Sequence, residues 1–163
     1  MGDTLKIYTI KDTKEEKILR KVSSPVKVEE IKSESFQTFL DQLLQTALSS
    51  EKQVGVQSAG ISAPQVGKNI RVVYILSDKE DNFELMINPE ITITDMKQDI
   101  DYEGCLSVPG IEGPVSRYKR VKVEYYDRKG KKQKKTFKGM EAREIQHEAD
   151  HLDGILFIDR IEK

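Results

Sequence analysis

Apolar positions along the chain first become periodic after Ser33. Phe36, Phe39, Leu40, Leu43, Leu44, Ala47 and Leu48 recur at helical spacing and predict one amphipathic helix, with Ser33 or Ser35 as its cap. The stretch before it, to Val28, is mixed and irregular and breaks at Ser23-Ser24-Pro25. Residues 53–69 are small and glycine-containing and end in Ala63-Pro64-Gln65-Val66-Gly67. β signals follow. Ile70–Leu76 is dense and β-branched enough for a buried strand, and Glu84–Asn88 and Glu90–Thr94 predict two short strands split by Pro89. In Arg120–Tyr126, Val121, Val123 and Tyr125 alternate with polar residues; Arg128-Lys129-Gly130 then turns the chain, and Lys134–Lys138 pairs back as a hairpin. After Gly139 the helical period returns at Ala142, Ile145, Ala149 and Leu152, with Gly154 where a C-terminal cap glycine belongs. One helix, several short strands and a second helix predict an α+β fold with mixed or antiparallel sheets rather than regular βαβ alternation.

Composition narrows the picture. The 163 residues fit one domain, 1–163, and 37% apolar content still supplies an ordinary core for that length. With 27 basic and 28 acidic residues the net charge is -1, which excludes a strong general pull toward nucleic acid or anionic membrane. No apolar run reaches the ~18 residues of a membrane span. The N-terminus lacks a basic start followed by an apolar stretch, so no secretory leader is expected. A single cysteine makes no internal disulfide, which suits a reducing, cytoplasmic setting. With two histidines and one cysteine, any transition-metal site has very few donors to draw on.

Both histidines fall in one motif. His147 and His151 are four apart on the second predicted helix, and Glu148 follows the first, giving H-E-x-x-H. Two histidines placed at random in this length fall four apart in roughly 1 case in 80, before the glutamate is counted. The spacing stacks both imidazoles on one helix face, where both reach one metal ion. Glu148 sits about 100° around from His147, beside the metal, placed to take a proton from activated water.

A catalytic site needs a third protein ligand. His151-Leu152-Asp153-Gly154 continues a longer zinc-protease pattern, but Phe157 stands where that pattern requires histidine. Glu162, the one glutamate after His151, lies beside the chain end, which leaves an upstream carboxylate or Cys105. Cys105 lies in Tyr102-Glu103-Gly104-Cys105-Leu106-Ser107-Val108-Pro109, whose glycine and proline predict an exposed bend near a strand. Cys/His/His plus water is a workable open tetrahedral set. The segment Gly60–Gly67 adds small residues that allow close backbone approach, and an amide, Gln65, that can donate to an oxyanion.

Taken together, Ser58–Gly67, Glu103–Ser107 and Gln146–Leu152 resemble, in order and spacing, the motifs G-x-G-x-A-A-P-Q-x-G, E-G-C-L-S and Q-H-E-x-D-H-L of the peptide deformylase family. Leu19-Arg20 and Pro25-Val26 resemble its N-terminal segment. Ser58 and Ser62 replace small residues of the first motif, and Arg143 and Glu144 stand where the family often has apolar residues. The resemblance implies an α+β fold of short mixed or antiparallel strands around a metal-binding HExxH helix, with one earlier amphipathic helix.

It further implies a hydrolase that removes the formyl group from the N-terminal formyl-methionine of nascent chains. Cys105, His147 and His151 would hold one divalent metal, natively Fe2+, with Zn2+, Ni2+ or Co2+ able to occupy the same site. Glu148 would serve as general base and then acid, while Gln65 and the Leu106 backbone N–H would stabilise the oxyanion. Gly60 and Gly110 would pair with the substrate backbone, and Ile61 and Ile145 would wall the methionine pocket. Glu103, paired with Arg117, would steady the cysteine loop from behind. The partner is the formyl-methionyl peptide, with no membrane and no specific nucleic acid. Arg128–Lys138 offers a basic segment for transient ribosome proximity, although a solvated hairpin explains the same charges. A zinc endopeptidase and a non-enzymatic peptide binder are the rival readings.

Overall fold

A computed structural model describes residues 3–79 and 82–162. α1 (Thr13–Leu19) lies in the stretch expected to be irregular. Its start is fixed by Asp12, whose carboxylate accepts from the N–H groups of Lys14 and Glu15 at 2.8 and 3.1 Å. The helix is mostly polar and anchors through Leu19, so it carries no apolar stripe to betray it. α2 (Glu34–Leu48) is the expected amphipathic helix, with Ser33 accepting from Phe36 N–H at 3.3 Å. Phe36, Phe39, Leu40, Leu43 and Ala47 face the core. A short α3 (Ser50–Val54) ends at Gly55, whose φ of 77° is the left-handed turn that glycine adopts freely.

The strands are β1 (Gly60–Ser62), β2 (Val72–Leu76), β3 (Phe83–Thr92), β4 (Gln98–Cys105), β5 (Val108–Tyr118), β6 (Arg120–Tyr126) and β7 (Lys132–Lys138). They form a five-stranded antiparallel sheet in the order β1-β2-β3-β6-β7 and a separate hairpin, β4-β5. The two short strands expected around Pro89 are one strand. β3 passes Pro89 by a register shift between Ile87 and Glu90, where Asn88 takes a φ of 53°. The Asn88 side-chain amide holds that kink by exchanging two 2.8 Å hydrogen bonds with the Val26 backbone.

α4 (Gly139–Leu152) packs across β1 and β2. Ala142, Ile145 and Leu152 are fully buried against Val73, Ile75, Met86, Val121, Val123 and Phe137. At about 0.8 kcal/mol per buried methylene, this layer is the main force holding the helix on the sheet. Gly154, at a φ of 75°, follows α4 as expected. A second cluster packs α2 onto the opposite side of the structure through Leu40, Leu43, Ile61, Val72 and Ile87. Among the described residues, no helix is long and apolar enough to cross a membrane.

This α+β arrangement brings three segments together that are distant in sequence. β1 and the 3₁₀ turn Ala63–Val66 lie on one side of α4, and the tip of the β4-β5 hairpin lies against another.

Candidate active site

α4 presents His147 and His151 one turn apart, with ring centroids 4.8 Å apart and planes at 72°. β4 ends at Cys105, opposite Val108 across a tight turn at Leu106-Ser107. A donor atom of Cys105, of His147 and of His151 all lie within 4.8 Å of one another. The Cys105 Sγ is 3.5 Å from His151 Nε2. The bend expected around Cys105 is thus the tip of a hairpin whose register shifts between Glu103 and Cys105.

Each imidazole is oriented through its other nitrogen. His147 Nδ1 meets Glu103 Oε1 at 2.9 Å, and His151 Nδ1 meets Ser62 Oγ and Glu148 Oε1, each at 3.0 Å. Carboxylates accept, so these partners assign the proton to Nδ1 and turn both Nε2 atoms toward Cys105. Phe157 lies on the His147 ring at 6.1 Å between centroids and limits its rotation. The donor set of one thiolate and two imidazoles suits a divalent transition ion, and the geometry fits one.

The charges fit as well. Burial pushes the Cys105 thiol up, but the adjacent His151 and His147 outweigh it and bring its pKa down to about 6. Burial pushes His151 down, and the Cys105 and Glu148 anions overcome it to raise its pKa to about 9. His147 is also raised well above 6.5, against burial, by its hydrogen bonds to Cys105 and Glu103. Behind it, Glu103 is buried, yet His147 and Arg117 hold its carboxyl well below the usual range. Arg117 grips both Glu103 oxygens, Nε to Oε2 at 3.0 Å and Nη2 to Oε1 at 2.9 Å, so the expected pair is present.

Gln65 is also held in one orientation. Its Oε1 accepts from Ser62 N–H and Ser62 Oγ at 2.9 and 3.1 Å. Its Nε2 therefore points the other way, toward Ser107 Oγ at 3.2 Å and Cys105 Sγ at 3.6 Å. Gly60 lies against Glu148: a methyl group there would stand 2.7 Å from Glu148 Oε2.

These groups open on a cavity of about 520 Å³. Gly60, Gln65, Cys105, Leu106, Gly110, His147 and Glu148 line it, while His151 is buried behind. Ile61 and Ile145 do not line it; both are fully buried in the core. The reason is geometric. Ile61 follows Gly60 in β1, so it points to the opposite face of the strand. Ile145 stands two residues before His147, about 200° around the helix. Glu144, three before His147, shares its face and lines the cavity, as do Val54, Val56, Pro109 and Ile111. Burial raises the Glu144 carboxyl to about 7, against the pull of His147. Sequence reasoning also missed Ser107 and the orienting role of Ser62. The only signal for Ser62 was its departure from the smaller residue of the first motif.

The likeness to known proteins is consistent with this geometry. The sequence profile of the family described as polypeptide deformylase matches residues 5–163. The chain is 41% identical over 143 residues to the peptide deformylase of Dictyoglomus thermophilum, covering 87% of this chain and 90% of that one. It is 47% identical over 109 residues to that of Treponema pallidum, covering 67% and 66%. The Met-Ala-Ser-bound class I type b peptide deformylase of Acinetobacter baumannii superposes with a TM-score of 0.86 at 34% identity, over 99% of this chain and all of that one. The chain belongs to the peptide deformylase family of enzymes.

Proposed function

We propose that residues 1–163 act as one catalytic unit that hydrolyses the formyl amide of N-terminal formyl-methionine, releasing formate and a free amine. The observation that carries this reading is the convergence of Cys105, His147 and His151 on one point, with Glu148 and Gln65 beside it on one cavity. In this reading Cys105, His147 and His151 are the ligands of one divalent ion, Fe2+ natively, with Zn2+, Ni2+ or Co2+ as alternatives. When bound, that ion supplies Lewis acidity and makes water a nucleophile near neutral pH.

The chain's own residues do the rest. Glu148 takes the proton of the attacking water as its oxygen bonds to the formyl carbon. Gln65 Nε2 and the Leu106 N–H donate to the oxygen on which charge develops. Glu148 then gives a proton to the amine as the carbon–nitrogen bond breaks. Gly60 and Gly110, both on the cavity wall, pair with the peptide backbone in strand fashion. Val54, Val56, Pro109 and Ile111 supply the apolar surface for the methionine side chain, in place of Ile61 and Ile145. The peptide bound to the A. baumannii relative, Met-Ala-Ser, has the composition of a deformylated product and supports a peptide substrate here. The setting we infer is cytoplasmic, close to the ribosome, with Arg128–Lys138 as the basic segment nearest to an RNA-facing role.

The test is formate release from formyl-Met-Ala-Ser, with acetyl-Met-Ala-Ser and an internal peptide bond as comparisons. Release from the formyl peptide alone is expected. Cleavage of internal bonds, with no formate, would replace this reading with an endopeptidase.

A further inference from the structure

We infer that Arg143 is a positioning residue for the metal site: it locks the helix that carries the two histidines onto the hairpin that carries the cysteine. The inference rests on the metal site proposed above. Arg143 precedes His147 by one turn of α4, so the two side chains rise from the same helix face. Both end on Glu103. Arg143 Nη1 donates to Glu103 Oε2 at 2.7 Å, while His147 Nδ1 meets Oε1 at 2.9 Å. Glu103 lies in β4 two residues before Cys105, across an irregularity in the strand register, and both side chains reach the histidines of α4. Its carboxylate therefore ties two successive turns of the helix to the strand that ends in the thiolate.

Arg143 makes further bonds along the same seam. Nη1 also donates to the Val115 carbonyl of β5 at 2.9 Å. Nη2 donates to the Asp99 carbonyl and to Asp99 Oδ1 at the far end of β4, at 3.1 and 3.0 Å. One guanidinium thus bridges α4 to both strands of the hairpin in three places. The side chains of Arg143 and Glu103 are only 6% and 5% exposed, so water does not loosen the pair. Arg117 grips the same carboxylate from β5 and reaches Asp150 at 2.6 Å, but Arg117 and Glu103 belong to one hairpin. Of the two guanidiniums on Glu103, Arg143 is the one that arrives from the histidine helix.

The consequence concerns the distance between thiolate and imidazoles. The two histidines are fixed relative to each other by one helix, whereas Cys105 is fixed relative to them only by how the hairpin docks. A looser dock spreads the three donors, and affinity for the ion falls before the fold is lost. Supporting contacts of this kind are worth about 10- to 100-fold in metal affinity.

The experiment titrates metal-free parent, Arg143→Leu and Arg143→Lys proteins with Zn2+ and Co2+ against a chromophoric chelator. Thermal midpoints are recorded with and without metal. Arg143→Leu is expected to raise the dissociation constant about tenfold or more, to weaken the Co2+–thiolate absorption, and to shrink the upward shift in midpoint that metal confers. Arg143→Lys keeps the charge but not the bridging bonds, and should fall between the two. A merely structural arginine would lower both midpoints equally and leave the metal-induced shift intact. Binding within twofold of the parent, with the same Co2+ spectrum, would overturn the inference. If Arg143→Leu fails to fold, Arg143→Lys decides: threefold or weaker binding supports it, and parent-like binding overturns it. Failure of the parent itself to bind metal would instead overturn the metal site.

Discussion

Gly60→Ala probes the placement of Glu148 without removing a single polar side chain. A Cβ built at Gly60 stands 2.7 Å from Glu148 Oε2, 3.1 Å from Glu148 Cγ and 3.1 Å from the Tyr74 carbonyl. The Tyr74 carbonyl belongs to β2, paired on both sides in the sheet, so the carboxylate is the partner that yields. Regaining an ordinary contact of 3.4 Å from 2.7 Å requires Glu148 to retreat by about 0.7 Å. If 1 Å of misplacement costs about 100-fold, then 0.7 Å costs about 25-fold in kcat, or about 2 kcal/mol of barrier. Gly60 has no left-handed φ, so the loss comes from this contact and not from backbone strain. The assay is formate release from formyl-Met-Ala-Ser at saturation, with metal content measured on the same sample. Gly104→Ala serves as comparison, because its nearest neighbour would be an ordinary 3.6 Å away, and it should stay within about threefold of the parent. In a Glu148→Ala background Gly60→Ala should be nearly silent, since the group it displaces is gone. A fully metallated Gly60→Ala enzyme with kcat within threefold of the parent would refute the placement of Glu148 as the proton carrier.

Four further outcomes follow from the same geometry. Cys105→Ser and His147→Ala should lose metal together with activity, whereas Glu148→Ala should keep metal and lose about 100- to 10,000-fold in kcat; metal analysis beside turnover separates them. Gln65→Ala should lower kcat by about 100-fold or more with full metal content, and a change confined to KM would count against an oxyanion donor. Metal affinity should rise with pH between 6 and 9 by at least about tenfold per unit, because Cys105, at about 6, is already ionised while His151, at about 9, and His147, also raised, must still lose their protons; a flat profile would contradict this. Glu103 is ionised more easily in the fold than in the unfolded chain, so its stabilisation is complete above its ordinary 4.5 and is lost as the pH falls below it. The midpoint of metal-free protein should therefore drop between pH 5 and 3, and Glu103→Gln should remove that part of the slope.

The elements legible in the sequence were those whose pattern is local. α2 and α4 show helical stripes, β6 shows alternation and the turn after it announces β7, and H-E-x-x-H carries its own geometry at a spacing of four. α1 was not legible because seven mostly polar residues capped by Asp12 make no stripe. The continuity of β3 was hidden because Pro89 reads as a break until the Asn88 kink supplies the bulge that accommodates it. In the site, Cys105 came into view as a ligand only through the shortage of other donors and the resemblance. The cavity wall was not legible, because neighbours in sequence do not share a face. Ile61 and Ile145 sit beside motif residues and point into the core, while Glu144, which stands where the family often has an apolar residue, faces the cavity.

The buried charges around the three ligands explain why this site suits a divalent ion. At neutral pH the metal-free cluster holds Cys105 as thiolate and both histidines as imidazolium, a sum of one positive charge on the three groups. Each imidazole faces a carboxyl group: Glu103 on His147, and Glu148 on His151. Binding displaces the protons that occupy the Nε2 positions and replaces two positive charges with two. The total is unchanged, so no additional charge is buried where its desolvation would cost several kcal/mol. A trivalent ion in the same place adds one uncompensated charge, and a monovalent ion leaves one too few. The carboxylates that orient the imidazoles therefore also set the charge that the centre accepts, and removing either one should weaken divalent binding more than the loss of a hydrogen bond alone explains.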